Sequence, residues 1–124
     1  MSKKRVNVHV GTLEDMGRRF IRAWKQVERG EKAREEHLTF PDLETLLNAL
    51  SPKRLQLLRA MHREPARSVK ALAERLKRDY KRVHQDVATL AELGLLRRDD
   101  GHVAAAYDLI HADFDLRSAS FFDR

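Results

Sequence analysis

The stretch "SVKALAERLKRDYKRVHQDVATLAELGLL", residues 68–96, holds two apolar-striped segments joined by a charged bend that contains neither Gly nor Pro. In the first segment Ser68 is a capping residue, and Val69, Leu72, Ala73 and Leu76 recur at the spacing of one helical face. The bend is expected near Arg78 and Asp79. The second segment runs from about Tyr80 to Leu93 with Val83, Val87, Leu90 and Ala91 inward, and Gly94 is placed to take the left-handed conformation that ends a helix. On a helical wheel, the face opposite Val83, Val87 and Leu90 carries Lys81, Gln85 and Ala88, flanked by Arg82, His84 and Thr89. Two short helices held close together, the second with a basic and amide-bearing outer face, raise the expectation of a helix offered to a polyanion.

Outward from this stretch the signals continue. Downstream, "LLRRDDGHVAAAY" has apolar runs flanking Asp100-Gly101, a pair suited to a tight hairpin, so a β-ribbon is expected directly after the second helix. Upstream, "SPKRLQLLRAMHRE" starts with Ser51 at the N-cap and Pro52 at the first helical position, with Leu55, Leu58 and Met61 expected inward and Pro65 breaking the chain. "DLETLLNAL" reads as a short helix capped by Asp42, "LTF" as a strand or extended link ended by Pro41, and residues 31–37 as a charged connection. "RVNVHV" alternates Val6, Val8 and Val10 with Asn7 and His9, the pattern of a strand with one buried face. Thr12 then precedes a helical stripe of Leu13, Met16, Phe20, Ala23, Trp24 and Val27 that Gly30 can end; its aromatics need burial against a part of the chain outside the basic segment or against a second copy, and a dimer interface is the favoured reading. "LIHADFDL" alternates as a last strand before the tail "RSASFFDR".

Composition limits the chemistry. A chain of 124 residues has room for one modest core. With no Cys, disulfides, thiolate metal sites and cysteine nucleophiles are excluded. No run is apolar enough to span a membrane and "MSKKRVNVHVG" lacks a secretion signal's apolar region, so a soluble cytoplasmic protein without a membrane partner is expected. Charge is segregated: residues 51–98 carry 13 Lys or Arg against 5 Asp or Glu, whereas residues 99–124 carry two Arg against six Asp. A basic middle and an acidic end suit different partners, the first a polyanion such as double-stranded DNA.

Together these signals predict a mostly helical α+β chain: a winged helix-turn-helix with an N-terminal strand and helix. Residues 1–37 would form a dimerisation element, residues 38–109 the DNA-binding domain, and residues 110–124 a C-terminal strand and tail. The expected DNA contacts are Lys81, Gln85, His84, Arg82, Thr89 and Tyr80 on the second helix, Ser68 and Lys70 at the start of the first, Arg78 in the bend, and Arg97 and Arg98 on the ribbon with His102 nearby. A major groove about 12 Å wide admits such a helix, where Lys meets guanine acceptors and Gln pairs with adenine. Asp79, Asp86 and Glu92 would repel phosphates unless paired with Arg82 or Arg78.

Residues 38–116, through "LTF", "LSPKRLQLLRAM", the opening stretch and "YDLIHADFDL", resemble a family of small winged-helix DNA-binding proteins described as antitoxin-like, and the second half also resembles MarR- and ArsR-type regulators. The resemblance implies sequence-specific DNA binding as a homodimer, repression of its own operon and, for an antitoxin, capture of a cognate toxin. It maps the reading helix to Tyr80–Leu93 and the wing to Leu95–Tyr107.

Two rival functions are weaker. For an enzyme, His84 with Asp86 and His111 with Asp113 can be read as acid–base pairs; they are set aside because side chains two apart in a helix or strand are expected to point to different sides, and no nucleophile motif or phosphate loop accompanies them. No cofactor is expected, and the six His show no H-x-x-x-H spacing for a metal. The other rival is a protein-interaction module that binds a partner through its termini, kept in view by Phe114, Phe121 and Phe122 in an acidic end.

Overall fold

A computed structural model of the chain describes residues 4–11 and 36–117. It is an α+β fold with four helices and two sheets among the described residues. The described residues form two compact units, one of Lys4 and residues 49–109, the other of residues 5–11, 36–48 and 110–117. Residues 38–48, grouped with the helices on sequence grounds, cluster with the strands, because the strand they begin in is hydrogen-bonded to the first one.

The strand unit is a three-stranded sheet. Strand β1 (Arg5–Val10) lies in the middle, parallel to β2 (Glu36–Phe40) on one side, and β5 (Leu109–Asp113) lies on the other. Register runs from Val6 opposite Glu36 to Val10 opposite Phe40, so Glu36 and His37, expected in a connection, are strand residues. Val6 and Val8 are buried, as the alternation predicted, while Val10 is half-buried; Phe40 is buried on the same face, and Asn7 on the other face is buried too. Helix α1 (Leu43–Ala49) follows, capped as expected: the Thr45 N–H donates to Asp42 Oδ1 at 2.7 Å, a bond that holds the Asp42 carboxyl below its usual pKa. Thr12, the predicted helix with Phe20 and Trp24, and the tail with Phe121 and Phe122 lie outside the described residues.

The helical unit builds its core from α2 (Pro52–Arg63), α3 (Val69–Leu76), α4 (Tyr80–Glu92) and a ribbon of β3 (Leu96–Asp99) and β4 (His102–Ala105). Leu57, Met61, Leu72, Val83, Val87, Leu90 and Val103 are fully buried, each worth about 1.5–3 kcal/mol in removed apolar surface. One expectation is corrected here: Leu55 is 42% exposed and Leu57 is buried in its place. The inward stripe of α2 runs through Leu57, Leu58 and Met61, and Leu55 falls to its flank because residues two positions apart on a helix are separated by about 200°.

Each end of these helices is specified locally. Ser51 Oγ accepts from the Arg54 N–H, Ser68 Oγ from the Ala71 N–H and Asp79 Oδ2 from the Arg82 N–H, three side-chain caps on three successive helices. The ribbon turns at Asp100 and Gly101, both with positive φ (53° and 86°), as a two-residue hairpin of this hand demands. Ala66, in the link between α2 and α3, exchanges both backbone hydrogen bonds with Val103 (2.9 and 2.8 Å), so this link lies against β4. The chain leaving the ribbon is tied back by Asp108, whose carboxylate meets the Lys4 N–H and the His62 ring.

Among the described residues no helix is long and apolar enough to cross a membrane.

Candidate nucleic-acid interface

Helix α4 is amphipathic in the sense its sequence predicted. Val83, Val87 and Leu90 have no exposed surface, while Tyr80, Lys81, Arg82, His84 and Gln85 are exposed and Ala88 and Thr89 half-buried. Tyr80 is 50% exposed and its ring lies 5.8 Å from that of His84, tilted, so two aromatic groups share the first turn with Lys81. The outer face therefore offers donors, acceptors and small side chains without an apolar patch.

Lys70 is exposed one residue inside α3. Ser68 is half-buried and its oxygen already accepts from Ala71, leaving its O–H proton to donate.

Arg78 is placed otherwise than as a free DNA contact. Its Nη2 donates to Asp86 Oδ2 at 3.0 Å, and Arg54 Nε donates to Asp86 Oδ1, also at 3.0 Å. All three side chains are about four-fifths buried, and Arg78 Nη1 is buried without an acceptor. Asp86, a source of repulsion if left unpaired, thus has both oxygens occupied by guanidinium groups; it braces α4 against α2 and the bend. Asp79 spends its carboxylate on capping α4.

The ribbon separates the two arginines expected to act together. Arg97 pairs with Ala104 and Arg98 with Val103, so they project from opposite faces of β3, Arg98 on the side of the buried Val103 and Arg97 on the side of Asp99 and His102. Both are exposed, but they serve different neighbours. Arg67, not singled out from sequence, is exposed beside the ribbon tip: a Cβ on Gly101 would lie 3.8 Å from its carbonyl oxygen. The only signal for it was its place between Pro65 and the Ser68 cap, and that could not reveal the bridge between Ala66 and Val103 that puts it there.

In the strand unit the structure brings together residues far apart in sequence. His9 Nε2 lies 2.8 Å from His37 Nδ1, His9 Nδ1 lies 3.7 Å from Asp113 Oδ2, and Asp113 Oδ1 lies 3.2 Å from His111 Nε2. The ground for setting the His111–Asp113 pair aside is overturned: on a strand, side chains two apart share a face. His84 and Asp86, on a helix, do point apart, Asp86 inward to its arginines. Among the described residues no group of three His, Cys, Asp or Glu is arranged to hold a metal.

Residues 49–112 match the family model HVO_A0114. The chain belongs to the HVO_A0114 family. The matched segment begins where the helical unit does, at Ala49, and runs through α2, α3, α4, the ribbon and most of β5. The features that the HVO_A0114 match spans are therefore the capped helices, the Asp86 brace and the ribbon. No curated protein and no solved structure matches the chain.

Proposed function

We propose that residues 49–109 are a winged helix-turn-helix that binds double-stranded DNA, with α4 as reading helix and the β3–β4 ribbon as wing, and that the protein is a transcriptional repressor acting by occlusion of a promoter. The observation that carries this reading is the outer face of α4: Lys81 and Gln85 exposed opposite three fully buried side chains, in a segment with a large excess of cations. Lys81 and Gln85 would meet base edges, Lys70 and Ser68 a phosphate, and Arg67, Arg97 and Arg98 phosphates near the ribbon. Lys and Arg supply affinity, and Gln85 and its neighbours selectivity. As a homodimer the protein would present two reading helices to successive major grooves about 34 Å apart. Such a regulator works in the cytoplasm and needs no cofactor or catalysis. The antitoxin role rests on the family resemblance read from sequence, and co-purification with the product of the neighbouring gene tests it.

A quantitative gel-shift series on a selected operator tests the core of the reading. About six phosphate contacts per dimer give a log-log salt slope near −5. Gln85→Ala should relax sequence preference, and Lys70→Ala should weaken all duplexes alike. Absence of any shift at low salt would leave the second reading, a protein-interaction module, which the exposed Phe114 and Leu116 in the acidic C-terminal part favour.

A further inference from the structure

Beside α4 the bend forms a groove of about 590 Å³ with a mostly apolar surface, lined by Lys70, Ala73 and Glu74 of α3, Lys77 and Arg78 of the bend, and Tyr80. Its size falls in the range of small-molecule sites, about 300–1,000 Å³. The charge around it is one-sided. Its lining carries Lys70, Lys77 and Arg78 against Glu74; with Arg78 paired to Asp86 and Asp79 engaged in capping α4, the cationic excess lies on Lys70 and Lys77. The Tyr80 ring and the Ala73 methyl supply apolar surface between these charges, and Lys77 holds its place on a left-handed backbone, φ +54°, that disfavours a lysine and suits Gly.

We propose that this groove is a binding site for a small organic anion with an apolar body, of the aromatic carboxylate or sulfonate class. The apolar body lies against Ala73 and Tyr80, and the anionic group meets Lys77 and Lys70. Lys70 and Tyr80 also belong to the DNA face, so the anion and the duplex exclude one another, and the anion is an inducer. This last step rests on the DNA-binding reading; the anion site itself does not.

Fluorescence titration of the full chain with anilinonaphthalenesulfonate, and with its uncharged analogue phenylnaphthylamine, tests the proposal. One saturable site per chain is expected for the sulfonate, about tenfold tighter than for the neutral analogue, since charge-assisted contacts to Lys are made only by the former. Lys77→Gly suits the backbone at that position, so it removes a cation without unfolding the chain; it should weaken the sulfonate about threefold to fivefold, with no fall in melting temperature. A duplex of about two helical turns should displace the dye. Equal affinity for both dyes, or indifference to Lys77→Gly, overturns the anion site. Dye and duplex bound together overturn the exclusion. Duplex binding without a dye site sinks this proposal and spares the DNA reading; a Lys77-dependent dye site without duplex binding sinks the DNA reading and the exclusion, and spares the site.

Discussion

Helices α3 and α4 end with the same set of hydrogen bonds but not with the same residue. At the end of α3 the Arg78 N–H reaches the Ala73 carbonyl and the Lys77 N–H the Glu74 carbonyl; at the end of α4 the Leu95 N–H reaches Leu90 and the Gly94 N–H reaches Ala91. Both are the double closure that requires a left-handed residue just past the helix. In α4 that residue is Gly94, φ +76°; in α3 it is Lys77, φ +54°. A lysine there carries about 1–2 kcal/mol of conformational strain that a glycine would not. The backbone task is identical, so the difference lies in the side chain: no heavy atom lies within 4 Å of a Cβ at Gly94, whereas Lys77 lines the groove beside α4. The comparison teaches that the bend is held by its surroundings and not by its own propensity, and that one of its residues is kept at a conformational cost.

The largest expected effect comes from removing those surroundings. Asp86→Ala leaves the largely buried Arg54 and Arg78 without their carboxylate and should cost about 3 kcal/mol, read as a lower denaturation midpoint. It should also raise hydrogen exchange at the Lys77 and Arg78 amides more than at Gly94 and Leu95. Equal exchange at both helix ends would show that the brace does not secure the bend.

A smaller effect is expected at the end of α4. Gly94→Ala meets no clash, so its cost is that of the left-handed backbone alone, about 1–2 kcal/mol. A neutral result in thermal unfolding would mean that Leu95, buried against the same core as Leu90, and not the glycine, sets this terminus.

The smallest effect carries the opposite sign. Lys77→Gly should stabilise by about 0.5–1 kcal/mol, the relieved strain less the added freedom of the unfolded chain, and raise the melting temperature by about 2–4 °C. A destabilised Lys77→Gly variant would show that the lysine makes a stabilising contact of its own, and the two helix ends would then differ in energy as well as in residue.

How far the sequence reached is visible in particular residues. Short-range chemistry was enough for Ser51-Pro52, Ser68, Asp42 and Gly94, for the Asp100-Gly101 turn, and for the buried stripe Val83, Val87 and Leu90, because each depends on neighbours within about one helical turn or one hairpin. The outer face of α4 was legible for the same reason: a helix period and three buried positions dictate which side chains remain outside. What only the tertiary structure decided lies across larger separations. Asp86 is claimed by Arg54, which lies 32 residues away, and by Arg78, whose bond to the other carboxylate oxygen withdraws it from the candidate interface. Ala66 meets Val103, which puts Arg67 beside the ribbon tip, and strand register sends Arg97 and Arg98 to opposite faces. Parallel pairing of β1 with β2, and β5 beside β1, lines up His37, His9, Asp113 and His111. Local propensity acts through the backbone of one segment, whereas these arrangements depend on which segments fold against each other, and no periodicity within a segment encodes its partner.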